Sequence, residues 1–133
     1  MDIRSIYPVL QVAEPESAGD YFVENFAFER TFSADWYVSL RHGVHELAFL
    51  HHAHPTIPEG FRRTVTGILV NIEVDDATVE YERLVRAGLT VLLELRDEPF
   101  GQRHFILEGP EGIAVDVIEE IPPAPEYALA FTS

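Results

Sequence analysis

The chain has 133 residues, 47% of them apolar, which is one domain's worth of sequence with enough apolar surface to bury a core. That composition excludes a disordered protein, and a formal net charge of −14 argues against a nucleic-acid backbone or an anionic membrane as partner. No cysteine is present, so disulfides and thiolate metal sites are excluded.

The opening Met1-Asp-Ile-Arg-Ser-Ile6 lacks the basic start and apolar run of a signal peptide, and no apolar stretch approaches a membrane span. A cytoplasmic protein is therefore expected. Residues 6–12 read as a strand that stops at Glu14-Pro15, where proline suits the first turn of a helix. Ala18, Tyr21, Phe22, Asn25 and Phe26 then recur at helical spacing, with Gly19 weakening the helix. Strands are predicted at 28–32, 36–41 and 44–51, the last two flanking His42-Gly43 as a two-residue hairpin turn. Pro55, Pro58 and Gly60 mark 52–66 as a linker. Beyond it Ile68, Val70, Ile72 and Val74 alternate with Leu69, Asn71 and Glu73, the pattern of a half-buried strand. Asp75 or Asp76 caps the next helix, whose apolar face is Ala77, Tyr81, Leu84 and Val85 and whose stop is Gly88. Strands follow at 89–95, 102–107 and 113–119, with a Glu108-Gly-Pro-Glu-Gly112 turn between the last two. The Pro- and Ala-rich tail, 121–133, is expected to pack loosely or on a partner subunit.

Strand, helix, strand, strand, strand thus occurs twice, the copies about 60 residues apart, which predicts a duplicated α+β unit. The modules run over about 5–51 and 67–120 within a single domain spanning 1–133. With these modules, the segment Pro99-Phe-Gly-Gln-Arg-His-Phe-Ile-Leu-Glu-Gly-Pro-Glu-Gly112 and the following Val115-Asp-Val-Ile-Glu119, the chain resembles the vicinal oxygen chelate superfamily. That superfamily includes glyoxalase I, extradiol dioxygenases, fosfomycin-resistance enzymes and bleomycin-resistance binding proteins. Gly-x-Arg-x-Phe followed by Gly-Pro-x-Gly is most similar to the binding-protein branch, whose turn is usually Asp-Pro-x-Gly-Asn; here Gly109 replaces the Asp and Ile113 the Asn. The resemblance implies two βαβββ modules forming curved mixed sheets around a concave cavity, with helices on the outer face. It also implies a homodimer.

In the metal-dependent members, four inner-face positions supply imidazoles and carboxylates to the ion. The matching positions here are Tyr7, Phe49, Leu69 and Asp116, so only one carboxylate remains, too few donors for a divalent cation. No metal, no other cofactor and no catalytic residue is expected on this reading. Strand period places Tyr7, Val9 and Gln11 on the inner face, with Leu69, Asn71, Glu73, Ala114, Asp116 and Ile118. The hairpin turn pairs Trp36 with Phe49, Val38 with Leu47 and Leu40 with His45, and the match of Phe49 to an inner-face position turns the whole set inward. Arg103 and His104 fall on the strand that lines the cavity mouth in the family. The candidate ligand-binding set is Tyr7, Trp36, Val38, Leu47, Phe49, Leu69, Asn71, Arg103, His104 and Asp116, suited to a small organic ligand. Trp36 and Phe49 stacking on a flat cation paired with Asp116 would satisfy both features.

Competing readings stay open at this point. The apolar residues of that set can equally be core or subunit interface, leaving a non-binding structural dimer module. Asp116 can equally be paired with Arg103, Arg41 or a backbone amide. A lyase or dioxygenase of the same fold, its site moved to His45, His104 and Asp116, is a further alternative. His51, His52 and His54 do not suggest a metal site, because alternation sends the first two to opposite faces and the third lies in the linker.

Overall fold

The computed structural model describes residues 1–132; Ser133, the end of the expected tail, lies outside them. Two units divide the chain, Met1–Thr66 together with Pro110–Gly112, and Gly67–Gly109 together with the chain from Ile113 onward.

In the first unit, β1 (Val9–Val12) begins directly after Pro8, which has no N–H to give a ladder. It leads to α1 (Pro15–Phe26), β2 (Glu29–Ser33), β3 (Tyr37–His42) and β4 (His45–His51). The sheet order is β1-β4-β3-β2, with β1 parallel to β4 and the other pairs antiparallel. The helix covers one face. Phe22 stacks on Phe49 at 5.7 Å between centroids, and Leu10, Val12, Val38 and Leu40 are buried with them. Gly19 explains its own presence: a Cβ there would lie 2.8 Å from Val38 Cγ1, so glycine lets the helix settle on β3. Pro15 opens α1 as expected, and Ala27 ends it in the left-handed conformation at φ 57°. Glu111, itself at φ 53°, accepts the backbone N–H groups of Ala13 (2.6 Å) and Glu14 (2.9 Å) just ahead of α1. An anion at that end complements the helix dipole.

The second unit repeats the plan with β5 (Leu69–Glu73), α2 (Ala77–Arg86), β6 (Val91–Glu98), β7 (Gln102–Glu108) and β8 (Ala114–Glu120), in sheet order β5-β8-β7-β6. Asp76 is the cap of α2, accepting from Val79 N–H at 3.1 Å. Ala77, Leu84, Phe105, Leu107, Val115 and Val117 are fully buried, and Tyr81 meets Phe105 edge-on at 5.0 Å. The duplicated α+β plan of two mixed four-stranded sheets is therefore present, each with a helix packed on one face. A short α3 (Pro125–Ala128) follows in the tail. Among the described residues no helix is long and apolar enough to cross a membrane.

The structure corrects two features of the β3–β4 hairpin. The two-residue turn is Gly43-Val44, not His42-Gly43: His42 pairs with His45, Leu40 with Leu47 and Val38 with Phe49. Gly43 has φ +60° at the first central position, a conformation glycine adopts without strain. The new register keeps Val38, Leu40, Leu47 and Phe49 on one face, but that face is the one under α1. At the other turn, Gly109 is required rather than merely tolerated. A Cβ there would lie 2.7 Å from the Ile113 carbonyl, which the Gly109 N–H itself engages at 2.7 Å.

Candidate functional site

On the face of the second sheet turned away from α2, Asn71 of β5 lies opposite Asp116 of β8, and Ile106 of β7 flanks Asp116 on the other side. His104 lies opposite Ile118 on β8 and opposite Arg96 on β6. These registers bring four polar side chains into a line. His104 Nδ1 is 2.8 Å from Asp116 Oδ1, His104 Nε2 is 2.8 Å from Glu98 Oε2, and Arg96 Nε donates to the same Glu98 oxygen at 2.8 Å. His104 is 5% exposed and Asp116 8%.

The acceptors decide the charge of the ring. A carboxylate lies at each nitrogen, and carboxylates only accept, so both nitrogens carry hydrogen when both bonds are made and the imidazole is a cation. Burial pulls the His104 pKa down, yet the hydrogen bonds it donates to Glu98 and Asp116 outweigh it and leave the value raised. Glu98 is held below the usual carboxylate range by the His104 hydrogen bond and then by Arg96. The row therefore alternates in sign, which is how a buried charge is tolerated.

The other expected site residues scatter. Leu69 and Asn71 lie on this same face, exposed, with Leu69 at 56%. Arg103 does not, because it adjoins His104 on one strand and must point the opposite way; its guanidinium bonds Asp97 at 2.7 and 3.0 Å. In the first unit, Val38, Leu47 and Phe49 are corrected from inner-face residues to core under α1. Tyr7 precedes β1, exposed, and neighbours Tyr37, whose hydroxyl pKa is raised first by burial and then by Tyr7. Trp36 stacks on His54 at 4.5 Å, away from Phe49. Asp116 is neither unpaired nor bonded to an arginine, so the pairing of Trp36, Phe49 and Asp116 around one flat cation does not stand. Gln11 also has another task, giving its amide to Phe61 O (3.1 Å) and accepting from Arg63 N–H (3.2 Å). His51 and His52, expected on opposite faces, instead stack at 4.6 Å where β4 ends. Sequence reasoning missed Glu98 and Arg96; β6 carries two register shifts, so alternation cannot be followed along it to these positions.

The metal-ligand positions of the family do not fit an ion here. Phe49 is buried against a helix, Leu69 offers no donor atom, Tyr7 lies outside the strand, and Asp116 has engaged Oδ1 with His104. Among the described residues no three His, Cys, Asp or Glu side chains converge as a metal would require.

Residues 5–117 match the family described as Glyoxalase/Bleomycin resistance protein/Dioxygenase superfamily. No curated protein matches the chain in sequence. Among solved structures, lactoylglutathione lyase from Agrobacterium tumefaciens superposes with a TM-score of 0.71 at 18% identity, covering 90% of this chain and 96% of that one. TioX from Micromonospora sp. ML1 gives 0.70 at 19% identity, over 90% and 100%. The bleomycin-binding protein from bleomycin-producing Streptomyces verticillus, solved with copper(II)-bleomycin, gives 0.63 at 21% identity, over 88% and 96%. At these identities the likeness is one of fold.

Proposed function

Because this chain belongs to the glyoxalase/bleomycin resistance protein/dioxygenase superfamily, we propose that it holds a small organic molecule without metal-based chemistry. The observation that carries the reading is the set of side chains at the family's metal positions, Tyr7, Phe49, Leu69 and Asp116, which offers one carboxylate already bonded to His104. Loss of the donor set removes the means of polarising a substrate while leaving a sheet face of mixed character. On that face the exposed Leu69 supplies apolar contact, and Asn71, beside Asp116, supplies an amide that can donate and accept. The bleomycin-binding protein of Streptomyces verticillus is a precedent for ligand binding on this fold. The enzyme reading, with a relocated acid–base pair, has His104 and Asp116 in its favour. The binding reading is preferred because both ring nitrogens already engage carboxylates, at 2.8 Å each, which leaves neither nitrogen open to a substrate proton in this arrangement.

The test has two arms. Metal analysis after dialysis is expected to find no stoichiometric Zn, Ni, Fe or Mn, and adding these ions should leave the melting temperature unchanged. A thermal-shift library of small organic molecules should yield ligands whose binding Leu69→Glu weakens by roughly tenfold or more, since a charge then replaces apolar contact. One equivalent of tightly held metal, or a library without a single saturable ligand, would sink the proposal.

A further inference from the structure

The second unit carries a cleft of about 570 Å³ where the β6–β7 turn and the tail meet the last residues of β5 and β8. Its walls are aromatic. Phe100 and Tyr127 stand nearly perpendicular, 6.3 Å between centroids, and Phe131 lines the same space. Gly101 helps form the floor at φ +106°; a Cβ there would lie 3.0 Å from the Ile121 carbonyl and 3.4 Å from Pro123 Cβ. Only glycine lets the tail close this tightly over the turn. Hydrogen bonds from Ile121 N–H to Gly101 O (3.0 Å) and from Ala124 N–H to Pro99 O (2.8 Å) hold it there.

Two carboxyl groups, Glu73 of β5 and Glu120 of β8, line the cleft. The neighbouring Glu120 carboxyl raises the Glu73 pKa. Neither acid forms an ion pair with an arginine or histidine among the described residues, and the sequence contains no lysine. A cleft with an aromatic wall and two acids at its edge that have no ion-pair partner suits a positive head on an apolar body.

We propose that this cleft binds an organic ammonium cation bearing an aryl or alkyl group. The ammonium lies against Glu73 and Glu120 and donates to both. The apolar part lies against Phe100 and Tyr127, whose ring faces also attract the positive charge. The Gln102 side chain, also in the lining, adds an amide for orientation. None of Leu69, Asn71, His104 or Asp116 takes part, so this inference does not rest on the reading above.

The experiment titrates the full-length, ¹⁵N-labelled protein with phenethylammonium, 2-phenylethanol and 3-phenylpropionate, following backbone amide shifts. Phenethylammonium is expected to saturate with its largest shifts at Gly101 and Gln102, and the neutral and anionic analogues to bind at least about tenfold more weakly. Glu73→Gln/Glu120→Gln should weaken the ammonium by roughly tenfold or more and Tyr127→Ala by several-fold, while Glu126→Gln, on α3 outside the lining, leaves affinity unchanged. The amide spectrum reports the fold of each variant; if the double variant unfolds, Glu120→Gln is read in its place against the same expectation of weakened binding. Equal binding of all three probes, no saturable shift, shifts centred elsewhere, equal loss in Glu126→Gln, or undiminished binding in the Glu73/Glu120 variants overturns the proposal.

Discussion

Replacing His104 by glutamine tests the charged row on β6, β7 and β8 through its pH dependence. Gln keeps an amide near Asp116 but cannot be a cation. With side chains 7% and 11% exposed, His104 and Asp116 are shielded from water, so a charge-assisted hydrogen bond becomes a neutral one or none. The loss is about 1.5–3 kcal/mol, a shift of about 1 M in the urea midpoint for a slope of about 2 kcal/mol per M. The folded His104 pKa is raised above the unfolded one, so the ring stays protonated in the native state where the unfolded chain has released the proton. Its contribution is complete below about pH 6.5 and disappears as pH rises through the folded value. Urea unfolding followed by circular dichroism at pH 6, 7, 8 and 9 should show the wild type losing stability with rising pH and the variant losing much less. The gap between them is widest at pH 6. Repulsion within a chain of net charge −14 affects both alike and cancels in the comparison. Parallel pH profiles, or a gap that widens toward pH 9, would refute the assignment of His104 as a cation between two carboxylates.

Further outcomes can be checked on the same material. Gly19→Ala gains about 1 kcal/mol of helix propensity but forces a methyl to 2.8 Å from the buried, β-branched Val38, at a cost of about 1–3 kcal/mol. Net destabilisation is expected in thermal unfolding, relieved in the Gly19→Ala/Val38→Ala pair relative to the sum of the singles; a stabilised Gly19→Ala would show that α1 does not lie this close to β3. A homodimer is expected from the exposed Ile3, Ile6, Tyr7 and Val9 beside an edge strand, since such edges invite pairing. Light scattering should give about twice 15.1 kDa, and a stable species of 15.1 kDa at micromolar concentration would contradict it.

The duplication was legible because each half carries its own punctuation: Pro15 and Asp76 open the helices, Gly88 closes the second, and alternation marks β5 and β8. Side-chain facing was less so. Parity groups Val38, Leu40, Leu47 and Phe49 together under either hairpin register, yet says nothing about which side of the sheet receives the helix. The missing signal was Gly19, whose absent side chain marks contact with β3; in the sequence it read only as a helix weakness. Asp116 reads as an inner-face carboxylate whose expected partner is Arg103, Arg41 or a backbone amide. Arg103, one residue away from the true partner, points across the sheet by strand period, and that alternation would have selected His104. Glu98 was hidden for a different reason: the register shifts in β6 break the period, and only paired strands show that it reaches His104 Nε2.

Among the described residues the poor fit of the family's metal positions to an ion does not depend on the match of single positions. Sliding the match by one residue replaces Tyr7 with Ile6 or Pro8, Phe49 with Ala48 or Leu50, Leu69 with Ile68 or Val70, and Asp116 with Val115 or Val117. No imidazole or carboxylate appears in any of these sets, and the aliphatic residues from β8 are buried under α2. The histidines offer no substitute: His51 and His54 use Nδ1 locally, accepting from Ala53 N–H at 3.1 Å and meeting Thr56 Oγ1 at 2.8 Å. Among the described residues His104 is the one deeply buried imidazole, and both its nitrogens are bound to carboxylates. A metal at either ring nitrogen would have to displace the proton there and break that nitrogen's carboxylate hydrogen bond, and Arg96, also bonded to Glu98, would add like-charge repulsion to the incoming ion.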